Sequence, residues 1–196
     1  MFGIAGYRPV VTDTVGATLS THGPNLRALV GRRLDSVLGL CFTVDGQWCS
    51  TYPLILDFGG TRLELVFDGF DQLYLSWNTI DSGVPIDTAD PADPADSADQ
   101  DDPDDPDDPD LALAWADPGR PELDAVLGSA VQQVAVLEND FHLDRVDGQR
   151  VQTWLLAGLE LVFDNGRKLQ LYNVFSETTL ELDTPESDRR RREILG

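Results

Sequence analysis

The hexapeptide Leu-Glu-Leu-Val-Phe-Asp occurs twice in this chain, at Leu63 to Asp68 and at Leu159 to Asp164. Its alternation of large apolar and polar residues has the period of a half-buried β-strand. Its recurrence suggests two related β-rich modules in tandem. Further anchors recur in the same order. Val44-Asp45-Gly46-Gln47 returns as Val146-Asp147-Gly148-Gln149, and Gly31, Leu34 and Val37 return as Gly128, Val131 and Val134. The spacing between anchors varies, as it does when copies drift by loop insertion and deletion.

Turn chemistry divides the first module. From Leu34 the chain alternates and is punctuated by Asp45-Gly46, Gly59-Gly60 and Asp68-Gly69, which implies four strands pairing as an antiparallel meander. Leu63, Leu65 and Phe67 fall on one face of the third strand, with Arg62 and Glu64 on the other, the pattern of a sheet with one buried side. The second module repeats this at Leu159, Leu161 and Phe163, followed by the hairpin signal Asn165-Gly166. Glu64 and Glu160 are accordingly expected to face solvent. Ahead of each meander, Pro24 with Leu26, Leu29 and Val30, and Pro121 with Leu123, Val126 and Leu127, read as short helices ended by Gly31 and Gly128. A longer helix running through either glycine is the competing reading.

The expected organisation is therefore an N-terminal segment over 1–24 with a short strand at Val10-Val11, a first β-rich module over 25–84 and an acidic linker over 85–112. A second β-rich module covers 118–183, and a charged helix covers 184–196. The fold class is α+β, mostly antiparallel β. The two modules would pack through their leucine faces about a pseudo-two-fold axis, with a single continuous sheet or a β-sandwich as the alternative. Residues 87–110 hold twelve aspartates and no basic residue. Such a tract is expected to stay extended and disordered, because like charges repel and nothing apolar offsets the entropy of ordering. In the C-terminal segment, proline and acids precede Arg189 to Arg192, the polarity of a helix.

Composition narrows the function classes. The net charge of -21 falls to -9 once the twelve aspartates are set aside (-21 + 12), and Lys168 is the only lysine. A basic footprint for nucleic acid is confined to Arg189 to Arg192, so no nucleic-acid partner is expected. The two histidines, His22 and His142, lie in different modules without clustered cysteines or carboxylates, and no cofactor or metal is expected. No apolar run reaches the ~20 residues of a membrane span, and the N-terminus has too short an apolar stretch for a secretory signal, which implies a cytoplasmic protein. Cys41 and Cys49 flank Asp45-Gly46; a two-residue turn there puts their sulfurs on opposite faces of a hairpin and excludes a disulfide, whereas a turn one residue longer would make them partners, and reduced thiols are the expectation.

The resulting expectation is a non-enzymatic binding protein, of the immunity or antitoxin kind, whose acidic surface covers a basic protein partner. Trp48, Tyr74, Trp77, Trp154 and Tyr172 are the candidate aromatic anchors. One alternative is a small hydrolase or transferase using His142, Asp144 or Cys49 in a groove between the modules. The other is a salt-adapted structural domain with no specific ligand.

Overall fold

The computed structural model describes residues 3–86, 112–144, 150–185 and 190–195. Two antiparallel sheets pack face to face. The first contains β1 (Val10–Thr12), β2 (Ser36–Phe42), β3 (Leu54–Asp57), β4 (Arg62–Asp68), β5 (Gln72–Trp77) and β6 (Leu113–Ala116), in the order β1-β5-β4-β3-β2-β6. The second contains β7 (Val131–Asp144), β8 (Arg150–Phe163), β9 (Lys168–Val174), β10 (Glu177–Leu182) and β11 (Arg190–Leu195), in the order β10-β9-β8-β7-β11. Helix α1 (Val15–Arg27) precedes the first meander, and the single turn α2 (Pro121–Asp124) precedes the second.

The alternating leucines do what their period dictates. Leu54, Leu56, Phe58, Leu63, Leu65 and Phe67 face Val134, Val136, Leu159, Leu161, Phe163 and Leu169 across one shared core. At ~25 cal/mol per Å2 of apolar surface removed from water, this layer is the main stabilising contribution. The Asp/Pro tract over 87–111 lies outside the described residues, as do 145–149 and the 186–189 stretch, where the sequence implies the start of a helix.

The two sheets share a path. Gly31 and Gly128 both adopt left-handed backbone, with φ of 85° and 73°, in the turns that follow the helix C-caps Ala28 and Ala125. The segments around them pair reciprocally. Gly31 N–H donates to the Val131 carbonyl at 2.7 Å and Gly128 N–H to the Leu34 carbonyl at 2.8 Å; Leu34 and Val131 return donors to Ser129 and Arg32. A four-strand meander comes after each glycine, and a late strand, β6 or β11, pairs with its first strand. The glycine anchors thus occupy equivalent places.

The hexapeptides do not. Leu63–Asp68 lies on the third strand of its meander, β4, whereas Leu159–Phe163 lies on the second strand of its own, β8. The residues that stand where Leu159, Leu161 and Phe163 stand are Leu54, Leu56 and Phe58, each leading into a turn that Phe58 and Phe163 close by donating to Thr61 and Arg167. Leu-x-Leu-x-Phe suits any strand with one buried face, so the identity of the hexapeptides marks shared burial rather than shared position.

Four further expectations are corrected. Glu64 and Glu160 are buried, Glu64 under further chain and Glu160 between Gln170 and Arg192 of its own sheet. The outer face of the first sheet packs under Ile4, Tyr7 and Ile80. The helix near Pro24 begins nine residues earlier, at Val15, capped by Thr14 Oγ1 accepting the Ala17 N–H at 3.2 Å. Residues 190–195, expected in a terminal helix, form a strand antiparallel to β7. The β2–β3 connection is longer than a two-residue turn: Phe42 N–H donates to the Gln47 carbonyl and Cys41 lies opposite Trp48, with both thiols free as expected.

Candidate protein-binding surface

Strands β7 and β8 run for 14 residues each, about twice the length of the other long strands in the molecule. Their neighbours stop early. β9 pairs only with Gly158 to Val162, and β11 only with Val134 to Asn139. Beyond those points the two strands continue as a two-stranded arm. Its root carries an irregularity: Leu137 opposes Gly158 but Glu138 opposes Leu156, which leaves Ala157 as an extra residue. Such a bulge bends a strand and re-aims the residues beyond it. Gly158 is required there, since a Cβ would lie 2.1 Å from the Leu171 carbonyl oxygen.

At the arm's root a notch of about 100 Å3 is lined by Phe70, Phe141, Leu155, Leu156, Asn139 and Asn173, with Ala157 also on its wall. Phe70 belongs to the β4–β5 turn and is 73% exposed. Asn173 fixes that turn, donating from Nδ2 to the Gly69 carbonyl at 3.0 Å, while Ser176 Oγ also reaches that carbonyl. The β9–β10 turn next to it presents Phe175, 86% exposed. Phe175 and Ser176 have φ of 52° and 69° between paired residues Val174 and Glu177, the backbone of a primed hairpin turn. A bulky side chain costs about 1–2 kcal/mol in that conformation, so Phe175 is held in a strained position with its ring in water. Asp68 and Asp71 flank Phe70 in sequence, and Asp140 on the arm contacts His142 Nε2 at 3.2 Å.

The five aromatics singled out from the sequence do not form one surface. Tyr74 and Tyr172 are buried within the chain. Tyr74 packs under the N-terminal segment, and Tyr172 lies beneath the Arg190 guanidinium, 4.8 Å from the ring centroid, donating its hydroxyl to Glu181. Burial and the Glu181 carboxylate push the Tyr172 hydroxyl up to about 12. Burial also pushes Glu181 up, but the hydroxyls of Tyr172 and Thr184 and the charge of Arg190 outweigh it and hold the carboxyl below its usual value. Trp77 donates its indole N–H to His22 Nδ1 at 3.3 Å. Trp48 is wedged over Gly39, where a Cβ would come within 2.7 Å of its ring, and Arg120 sits 5.8 Å above it. Only Trp154 lies on the arm, opposite Asp140. The aromatic side chains most exposed beside the arm are Phe70 and Phe175, with Phe141 and Leu155 partly covered. The sequence carries a signal for them: a phenylalanine inside a turn between two strands has no inward face to occupy.

The residues of the catalytic alternative sit apart. Cys49 is in the β2–β3 connection beside Thr51, His142 is on the arm, and the side chain of Asp144 is outside those described. Among the described residues no group of three His, Cys, Asp or Glu side chains converges in a ligating arrangement, and no helix is long and apolar enough to cross a membrane. A second groove of about 250 Å3, between Trp48, Arg120 and Thr178, is also smaller than the ~300–1,000 Å3 of ordinary small-ligand pockets. No protein-family profile, curated protein or solved structure matches the chain.

Proposed function

We propose that this chain is a non-catalytic protein-binding module, of the immunity or antitoxin kind, that covers a basic protein partner with its β-arm and the two phenylalanine turns beside it. One observation carries the reading: large apolar side chains, Phe70 and Phe175, are held out in water on turns fixed by hydrogen bonds or strained backbone, next to a notch sized for a side chain. Contiguous exposed apolar patches rimmed by polar residues mark interaction sites. The acidic balance, -21 overall, supplies the complement to a cationic surface and would speed encounter at low salt.

The test is to isolate the basic protein that the full chain retains, purify it, and titrate the two across ionic strength. The association constant should fall steeply with salt, and Phe70→Asp and Phe175→Asp should each weaken it about ten-fold or more. A partner of neutral or acidic character, or one indifferent to both substitutions, would refute the reading.

A further inference from the structure

The arm has an open edge, and the chain itself shows what kind of strand its sheet accepts. We propose that the partner enters as an extended segment bearing alternate arginines or lysines. It would add to the outer edge of β8 where β9 stops, over Leu155–Ala157 and onward, and place one bulky apolar side chain in the notch of Phe70, Phe141 and Leu155. This rests on the binding reading above and names its mode.

Three observations support it. The first is the ladder. β9 leaves β8 at Gly158 and turns away through Phe175, while β8 continues to Arg150. A strand edge of this kind is a template for a further strand, with main-chain hydrogen bonds giving affinity and side-chain notches giving choice. The second is the chemistry already seated on this sheet. β11, Arg-Arg-Arg-Glu-Ile-Leu, pairs with β7. Arg192 Nε lies 3.2 Å from the buried Glu160 carboxylate, Arg190 stacks on Tyr172 and donates to Gln170 and Asn139, and Leu195 enters the core. Asn139 is shared, holding Arg190 and also lining the notch. The third is charge. Asp68 and Asp71 lie on either side of Phe70 in the sequence, and a chain of net charge -21 repels a second copy of itself while attracting a cationic strand.

The experiment uses the full chain and three blocked peptides at low ionic strength: Arg-Leu-Arg-Phe-Arg-Leu, the same peptide N-methylated at alternate residues, and hexa-arginine. Binding is followed by titration calorimetry and by backbone amide shifts. The unmodified alternating peptide should bind about ten-fold or more tightly than either control, shift the amides of Leu155–Ala157 and Phe70, and lose about ten-fold with Phe70→Asp, a substitution at an exposed turn that leaves the unfolding transition in place. Equal binding of the N-methylated peptide overturns strand addition. Equal, salt-sensitive binding of all three, with shifts away from the arm, overturns the seat and leaves the acidic-surface reading standing. Loss of the β11 signals on addition of peptide overturns it in favour of strand exchange at β7. Self-association without peptide, abolished by Phe70→Asp, makes the occupant a second copy and overturns the cationic strand. Failure of every peptide to bind overturns this proposal and removes the charge argument from the reading beneath it.

Discussion

Glu64 offers the sharpest test of how this fold is held, because its two carboxylate oxygens do different work. Oε1 accepts the backbone N–H groups of Thr79 and Ile80 at 2.8 and 2.9 Å, while Oε2 accepts the hydroxyls of Ser76 and Thr79. The hydroxyls can rotate toward other acceptors; the two backbone donors cannot. Glu64→Ala strands both, and each unsatisfied buried donor costs about 1–3 kcal/mol, so the substitution should destabilise the chain by about 4 kcal/mol once a small cavity is included. That is a large share of the ~5–15 kcal/mol that holds an ordinary domain together. Glu64→Gln should cost about 1 kcal/mol. Its carbonyl oxygen can take the Oε1 place and keep both backbone donors, and its amide can donate to the two hydroxyl oxygens. Urea unfolding measures both variants, and hydrogen exchange at Ile80 reports locally. Equal costs for alanine and glutamine, or an alanine variant within about 1 kcal/mol of the parent, would refute the assignment of this carboxylate as the anchor that lays residues 79–86 over the first sheet.

Four other outcomes are expected. His22 accepts the Trp77 indole N–H in its neutral form, and burial lowers its pKa against a smaller opposing hydrogen bond at Val10. Its contribution to stability is therefore present above the unfolded value near ~6.5 and lost as pH falls below it; urea midpoints followed by tryptophan fluorescence should drop over that window in the parent and stay flatter in His22→Gln, and parallel curves would exclude the role. Replacing Phe175-Ser176 by Asn-Gly relieves two left-handed non-glycine residues and should add about 1 kcal/mol and about 2–4 °C to the melting midpoint, with a fall in stability showing that Phe175 packs on something. Arg192→Ala leaves Glu160 with Gln170 alone and should cost about 3 kcal/mol, whereas the Arg192→Met, Glu160→Leu pair should recover most of it; no recovery would mean that the charge, not its burial, is what stabilises. Amides of Val151–Trp154 should exchange far faster than those of Leu159–Phe163, because there β7 and β8 have neither β9 nor β11 beside them and a two-stranded ribbon opens locally, and equal protection would show the arm to be part of the cooperative core.

What the sequence made legible was the part governed by local period and turn chemistry. Alternation at Leu63, Leu65 and Phe67 and the breaks at Gly59-Gly60 and Asn165-Gly166 correspond to elements of the structure, while Gly31 and Gly128 are left-handed but lie three residues beyond the C-caps Ala28 and Ala125 of the helices they were expected to end. Elements decided by distant partners were not legible. Helix α1 reads Val-Gly-Ala-Thr-Leu-Ser-Thr-His-Gly-Pro-Asn-Leu-Arg, a poor helix by propensity; it is held by Thr14 at its cap and by burial of Thr18, His22 and Leu26. The arginine run looks helical because its charges suit a helix C-terminus, yet Glu160, Asn139 and Tyr172 lie more than seventeen residues away and draw it into a strand. The candidate site differs on another point. Residue type favours tryptophan and tyrosine as anchors, whereas exposure is set by position, and it is the two phenylalanines with nowhere to turn inward that reach the surface.

The acidity of the folded part divides into two kinds once the partners are known. Glu64 ties down the segment over the first sheet, Glu160 ties down β11, and Glu181 joins Tyr172, Thr184 and the neighbourhood of Arg190. These carboxylates are internal fixings, satisfied by donors, and contribute little to the field a partner meets at a distance. Among the described side chains, Asp68, Asp71, Glu138 and Asp140 are the carboxylates that remain near the arm. Electrostatic steering toward it would thus rest on a few local carboxylates plus the aspartate tract, and the apolar contacts of Phe70, Phe141 and Leu155 would have to hold what charge brings in. Salt should accordingly change the rate of association more than the rate of dissociation, the opposite of what a purely charge-held complex would do.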